Sequence, residues 1–171
     1  LALDGTATDL RLGVPQLNCL AGKPGAGVEE ATTHRTFVDN VRHAAEQCKS
    51  AGLRVLMEPI NNYDVPGFWL NRTGKALAVI DELKMDNVFV QYDIYHAQVM
   101  EGDLARTLEA NLARIGHIQL ADNPGRHQPG TGEINFPFLF RRLRALGYPG
   151  WIGCEYVPTG PTEDSFGWMA A

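Results

Sequence analysis

Two patterns of apolar residues alternate along this chain, one typical of buried strands and one typical of amphipathic helices. Short apolar runs of the kind that form buried strands recur five times, and between them apolar residues recur at the spacing of amphipathic helices. The predicted strands cover residues 16–20, 54–58, 87–93, 116–119 and 151–155. The predicted helices cover residues 33–51, 73–83, 104–115 and 137–146, with Thr32 or Thr33 as the cap of the first and the remnant of another helix over 1–12.

Strict alternation of strands and helices predicts an α/β fold with a parallel sheet and right-handed crossovers. A complete (β/α)8 TIM barrel typically needs ~250 residues, so five strand–helix units in 171 residues amount to about five-eighths of one. We therefore expect one partial barrel domain over 1–171, made of the C-terminal five units. An open parallel sheet exposes two edges, so we expect a preceding N-terminal segment or a second copy of the chain to cover them.

Four of the predicted strands end in a side chain that carries oxygen. Glu58, Asp93, Gln119 and Glu155 stand at these ends, spaced by about the length of one strand and one helix. Parallel strands of one sheet would deliver all four to the same edge, and three carboxylates with one amide would bind a hard cation there. The alternative for any one carboxylate is a salt bridge at the barrel end.

The composition favours an enzyme domain that acts on a small molecule. The chain is 44% apolar and 20% charged with a net charge of −5, which argues against a nucleic-acid partner. No apolar stretch approaches the ~18 residues of a membrane span. Cys19, Cys48 and Cys154 lack the spacing of a disulfide framework, which predicts reduced thiols and a cytoplasmic location. Strand alternation makes Cys154 a small buried packing residue in this interpretation.

Five ordered motifs resemble the hydroxypyruvate isomerase family of the xylose-isomerase-like TIM barrels. The resemblance runs from about residue 12 to 168 and leaves the family's first three strands without a counterpart. The motifs are Glu58-Pro-Ile-Asn61 with Pro66-Gly-Phe68, Gln91-Tyr-Asp-Ile-Tyr-His96, His117-Ile-Gln-Leu-Ala-Asp-Asn-Pro124, Pro129-Gly-Thr-Gly-Glu-Ile-Asn135 and Gly153-Cys-Glu-Tyr156.

This resemblance implies a metal-assisted isomerisation without an organic cofactor. Related epimerases hold one divalent metal with Glu, Asp, His and Glu, and the matching positions here are Glu58, Asp93, Gln119 and Glu155. Gln119 stands where the epimerases have His and makes the set all-oxygen, which suits Mg²⁺ or Mn²⁺ better than Zn²⁺. Glu58 and Glu155 would exchange protons with the substrate through a cis-enediolate, and the metal would act as a Lewis acid.

Four further residues are candidates for substrate binding. His96 and Arg126 resemble the family's contacts to a substrate oxygen and a substrate carboxylate, although a helix-capping His and a solvated loop Arg are the alternatives. Asp64 is a candidate for a substrate hydroxyl, or a turn residue before Pro-Gly. His117 shares a strand face with Gln119. The glycines of residues 129–135 suit a loop over the metal site rather than a phosphate loop.

The sequence is consistent with several functions. The leading one interconverts hydroxypyruvate and tartronate semialdehyde, and a close alternative acts on a related 2-oxo sugar acid or ketose. Metal-dependent abasic-site endonucleases share the barrel, but only five histidines and an acidic balance argue against that class. A non-catalytic fragment that keeps the metal motifs without a closed pocket is the last alternative.

Overall fold

The computed structural model describes residues 13–170 and contains the predicted alternation of strands and helices. The expected helix remnant over 1–12 lies outside the described residues. The strands are β1 (Gln16–Asn18), β2 (Arg54–Met57), β3 (Val88–Asp93), β4 (Ile115–Leu120) and β5 (Ile152–Cys154). The helices are α1 (Glu30–Ser50), α2 (Thr73–Leu83), α3 (Ile94–Met100), α4 (Leu104–Asn111) and α5 (Phe136–Ala145), with 3-10 turns at Leu112–Arg114 and Thr162–Ala170.

The strands form a single sheet in the order in which they occur along the chain, from β1 to β5. The pairs β1–β2, β2–β3 and β4–β5 are parallel, and their register aligns Leu56 with Phe89 and Gln119 with Gly153. The predicted α/β class with parallel strands is therefore confirmed. Contacts divide the chain into two compact units, of which the first ends at Gln91 and the second begins at Tyr92, inside β3.

The core of the first unit lies between α1 and one face of the strands. Val41 and Ala45 on α1 and Val55 and Met57 on β2 are all buried. The buried Asn87 side chain donates hydrogen bonds to the carbonyl of Ala45 at 2.8 Å and to that of Leu53 at 3.3 Å. These bonds link α1 to the residue that precedes β2, the strand directly before Glu58.

Helix α1 begins earlier than the sequence indicates. The predicted cap at Thr32 or Thr33 is wrong, because Glu29 is the capping residue and the helix starts at Glu30. The hydroxyl of Thr33 donates instead to the carbonyl of Glu29, one helical turn back, at 3.2 Å. Threonine hydroxyls can bond to backbone carbonyls inside a helix as well as cap its start. The presence of Thr32 and Thr33 therefore did not identify the first residue of the helix.

In the second unit, α3 follows β3 without a loop and was not predicted. The predicted helix over 104–115 ends as α4 at Asn111 and continues only as a 3-10 turn. The predicted burial of Cys154 is also wrong, because its thiol is exposed. Cys154 lies on β5, the last strand in the sheet order, where no strand among the described residues covers its outer side.

Candidate functional site

In the first unit, the carboxylate of Glu58 is held between two amides. Glu58 directly follows β2 and is 5% exposed. Its Oε2 accepts hydrogen bonds from Asn18 Nδ2 at 2.6 Å and from Gln91 Nε2 at 2.9 Å. These donors come from the strands on either side of β2, so the register of the sheet fixes the orientation of the carboxylate. Bonds of this type to a charged acceptor are stronger than neutral ones.

Asp64 belongs to a turn in the same unit. Its backbone N–H donates to Asn61 Oδ1 at 2.7 Å, and its Oδ2 accepts from Asn61 Nδ2 at 3.0 Å. Asn61 is fully buried and Asp64 is exposed. These contacts agree with the turn interpretation of this segment, and the contact of Asp64 with substrate stays a prediction.

In the second unit, Asp93 combines two structural roles. It is the last residue of β3 and the N-cap of α3, and it is 2% exposed. Its Oδ1 accepts hydrogen bonds from the backbone N–H groups of Tyr95 at 2.8 Å and His96 at 3.3 Å. The cap therefore holds the carboxylate in a fixed orientation at the end of the strand.

The other oxygen of Asp93 has a different environment. Oδ2 is buried and accepts no hydrogen bond from any residue that the structure describes. His96 Nε2 and the guanidinium Nη2 of Arg126 each lie 3.7 Å from it, beyond hydrogen-bond distance. Burial raises the pKa of Asp93 to about 6, against the opposing effects of Arg126 and the two backbone bonds. A buried oxygen without a hydrogen bond is costly unless another partner binds it.

His96 lies against this oxygen from the first turn of α3. Its ring is 3% exposed and packs beside Tyr95 with the ring centres 5.4 Å apart. A neutral imidazole nitrogen is a common metal ligand. His96 could therefore hold a metal together with Asp93, a role that the sequence analysis did not assign to it.

Arg126 lies between two carboxylates of the second unit. Its Nη2 is 3.1 Å from Glu155 Oε2, and its guanidinium carbon lies 5.5 Å from the centre of the Tyr95 ring. Glu155 directly follows β5, and its side chain is 51% exposed. The structure thus brings Asp93, Arg126 and Glu155 together, with the guanidinium next to both acids.

His117 and Gln119 share one face of β4. Gly153 on β5 lies beside them, and a Cβ atom there would be 3.0 Å from His117 Nε2 and 3.5 Å from Gln119 Cγ. Because Gly153 has no side chain, it leaves room for the side chains of His117 and Gln119. Partial burial lowers the pKa of His117, which favours the neutral ring at neutral pH.

Three residues with polar roles were missed by the sequence analysis. Asn18 and Gln91 hold Glu58, and the fully buried Asp122 organises the loop that carries Arg126. Gln91 and Asp122 lie inside the family motifs, but nothing in the motifs indicates which partners they contact. The available signal for Asp122 was an Asp two residues after a strand and before a Gly-rich segment.

The fold and these strand-end residues define an α/β protein of the barrel type. The chain belongs to the xylose isomerase-like TIM barrel family, whose model matches residues 8–171. The described residues include no helix long and apolar enough to cross a membrane.

Two curated relatives match most of the chain. It is 46% identical over 170 residues to the hydroxypyruvate isomerase of Escherichia coli K12, covering 97% of this chain and 66% of that protein. It is 42% identical over 158 residues to the 2-oxo-tetronate isomerase of Cupriavidus necator, covering 92% of this chain and 61% of that protein. The chain thus spans less than two thirds of the length of either relative.

Solved structures confirm the xylose isomerase-like fold. The chain matches the AP endonuclease, family 2 of Brucella melitensis with a TM-score of 0.93 and 38% identity, over 97% of this chain and 64% of that one. It matches the 3-keto-D-glucoside 4-epimerase of E. coli with a TM-score of 0.78 and 26% identity, over 91% of this chain and 62% of that one.

Proposed function

We propose that this chain carries the catalytic residues of an isomerase that interconverts hydroxypyruvate and tartronate semialdehyde with the help of a divalent metal. The support from sequence is the similarity to a hydroxypyruvate isomerase along nearly the whole chain. The support from structure is the set of oxygen-bearing side chains at or directly after the ends of β2, β3, β4 and β5. Ligands and catalytic groups of this barrel fold come from such strand ends.

The observation that carries the proposal is the buried Oδ2 atom of Asp93. It accepts no hydrogen bond within the described part of the chain, while Oδ1 is fully engaged by the helix cap. A divalent cation would satisfy this oxygen and offset its burial, so the residues fit such an ion. The other ligands we propose are Glu58, Gln119 and Glu155, with the nearby His96 as a further nitrogen donor.

In the proposed reaction two carboxylates transfer protons at two adjacent carbons of the substrate: one takes a proton from the first carbon, and the other delivers a proton to the second. A proton leaves the hydroxymethyl carbon of hydroxypyruvate and a proton is returned to the neighbouring carbonyl carbon, while the hydroxyl proton passes between the two oxygens. Glu58 and Glu155 perform the two carbon steps, with an enediolate between them. A bound Mg²⁺ or Mn²⁺ would supply Lewis-acid stabilisation of the developing negative charge.

Substrate binding is assigned to the remaining polar residues. Arg126 binds the substrate carboxylate, because its planar guanidinium matches two carboxylate oxygens. His96 and His117 contact substrate oxygens, and Asp64 contacts a hydroxyl. The alternative substrate is a longer 2-oxo sugar acid or ketose, since one curated relative is named 2-oxo-tetronate isomerase. Comparing kcat/KM for hydroxypyruvate and 2-oxo-tetronate distinguishes the two.

The test is an isomerisation assay of the full chain with and without chelator. We expect chelation to abolish turnover and Mg²⁺ or Mn²⁺ to restore it. Glu58→Gln and Glu155→Gln should each lower kcat by about 100-fold or more, the usual value of a positioned carboxylate. Glu46→Gln, on the exposed face of α1, is the matched control and should leave kcat unchanged. Full activity of either site variant would remove it from proton transfer.

Other outcomes of the same assay favour other functions. Cleavage of abasic-site DNA with bound zinc would favour the endonuclease class, in keeping with the name of one structural match. Metal binding without turnover of either keto acid would favour the non-catalytic fragment. We also propose a cytoplasmic location and a single domain over 1–171. A preceding segment or a second copy of the chain is proposed to cover the sheet edges.

A further inference from the structure

The fully buried carboxylate of Asp122 collects four backbone N–H groups from the loop after β4. Its Oδ1 accepts from Asn123 N at 2.9 Å and Ile134 N at 3.1 Å. Its Oδ2 accepts from Gly130 N at 2.8 Å and Gly132 N at 2.9 Å. The side chain of one residue thus satisfies backbone donors along the whole loop of residues 123–134.

Arg126 lies inside the segment that Asp122 closes. The backbone N–H of Asp122 donates to the His127 carbonyl at 2.8 Å. This bond joins a residue before Arg126 to the residue after it. Arg126 has a φ of 57°, a left-handed conformation that is unfavourable for a residue with a side chain. The surrounding hydrogen bonds hold it in this conformation, and the guanidinium reaches Asp93 and Glu155 from there.

Only a carboxylate fits this position. It is an acceptor at both oxygens and can take all four donors, whereas an amide would turn its NH2 group toward two of them. The loop also wraps tightly around the carboxylate: a Cβ at Gly132 would lie 2.7 Å from Asp122 Oδ1 and 2.2 Å from the Asn123 carbonyl oxygen. Gly132 therefore permits the close approach that the four bonds require.

We propose that Asp122 is the positioning residue of the substrate-carboxylate site: its four hydrogen bonds to the loop 123–134 hold the Arg126 guanidinium where it meets the substrate. This inference rests on the proposed role of Arg126. Asp122 acts through Arg126, because both of its carboxylate oxygens are taken up by loop N–H groups.

The first experiment reads the position of Arg126 without any substrate. Phenylglyoxal modifies accessible arginines, and mass spectrometry measures its rate at each one in the full chain. In Asp122→Asn we expect modification of Arg126 to become at least about fivefold faster, with the exposed Arg106 unchanged as the internal reference. Asp164→Asn, an exposed Asp in the same unit, is the control variant. An unchanged rate at Arg126, or equal acceleration at both arginines, would overturn the proposal.

The second experiment is a double-mutant cycle on the reaction. We expect Asp122→Asn to raise KM for hydroxypyruvate about tenfold with a smaller change in kcat, and to add nothing to Arg126→Met. Multiplicative effects of the two substitutions on KM would contradict the proposal. If Asp122→Asn does not fold, Gly132→Ala disturbs the same bonds from the loop side and is read by both experiments.

The two experiments distinguish a failure of the proposed function from a failure of the positioning role of Asp122. If the wild-type chain does not isomerise hydroxypyruvate while Arg126 reactivity responds to Asp122→Asn, the proposed function fails and the positioning of Arg126 stands. If the chain is active and Arg126 reactivity does not respond, the positioning role of Asp122 fails alone.

Discussion

Nη2 of Arg126 lies 3.1 Å from Oε2 of Glu155, so the residue proposed to bind the substrate carboxylate is an ion-pair partner of one of the two proposed catalytic carboxylates. The same guanidinium lies over the Tyr95 ring. If Arg126 binds the substrate carboxylate as proposed, that carboxylate must share the guanidinium with Glu155 or take its place. The proposed binding mode therefore predicts that substrate changes the electrostatic environment of Glu155 directly.

Replacing Arg126 tests its part in substrate binding. We expect Arg126→Met to raise KM for hydroxypyruvate about 10- to 100-fold, which corresponds to the ~1.5–3 kcal/mol of a charge-assisted hydrogen bond. Arg126→Lys should recover only part of this loss, because an ammonium group cannot pair both carboxylate oxygens. Steady-state kinetics measures both variants, and Arg106→Met on the surface is the control. An unchanged KM in Arg126→Met would assign substrate binding to another residue.

The amides that hold Glu58 are expected to act on kcat. Gln91→Leu removes the 2.9 Å bond to Glu58 Oε2 with little change in side-chain volume. We expect kcat to fall about 10-fold, because a bond to a charged group contributes ~1.5–3 kcal/mol and the bond from Asn18 remains. Gln47→Leu makes the same change on the exposed face of α1 and should have no effect. Equal kcat values for wild type and Gln91→Leu would mean that Asn18 alone orients Glu58.

Gly153 provides a steric test of the β4 face. Gly153→Ala brings a methyl group to 3.0 Å from His117 Nε2, so the imidazole must move. We expect a loss of stability of about 1–3 kcal/mol in urea unfolding and a higher KM. Gly74→Ala is the matched control, since among the described residues a Cβ there meets nothing within 4 Å apart from its chain neighbours and the backbone of its own helix, and alanine favours helix α2. Wild-type stability and KM in Gly153→Ala would show that His117 has room to move without consequence.

The strands and most helices follow from the sequence because apolar periodicity records burial. Helix α2 runs over 73–83 as predicted, and Glu58 directly follows the strand at whose end it was predicted. Helix α3 was missed because it starts at Ile94, directly after β3, with no Gly or Pro between them. Its start signal is the Asp93 cap, and the sequence analysis had assigned that residue to a metal site.

The partners of the site residues were less predictable. The bonds from Asn18 and Gln91 to Glu58 depend on the register of neighbouring strands, which the linear sequence does not record. The bonds from the loop to Asp122 depend on backbone conformations around Gly130 and Gly132. Sequence motifs therefore indicated which residue types matter and left their contacts open.

Asp93 is expected to make the stability of the protein depend on pH when EDTA has removed divalent metal ions. Burial raises its pKa from 3.8 to about 6, so between these values the native state binds more protons than the unfolded chain. The free energy of unfolding should therefore fall as pH rises from about 4 to about 6, by up to ~3 kcal/mol for this group. Urea unfolding in EDTA measures it. Asp93→Asn should lack this component, and identical pH profiles for the two proteins would contradict the assignment.

The proposed metal site is centred on the buried Oδ2 of Asp93. Titration of the full chain with Mn²⁺, followed by electron paramagnetic resonance, counts bound ions and gives their affinity. We expect one tight site in the wild-type protein and in Asp39→Asn, an exposed control, and an affinity about 100-fold or more weaker in Asp93→Asn. Equal Mn²⁺ affinity in Asp93→Asn and wild type, or no bound Mn²⁺ in either, would contradict the proposed metal site.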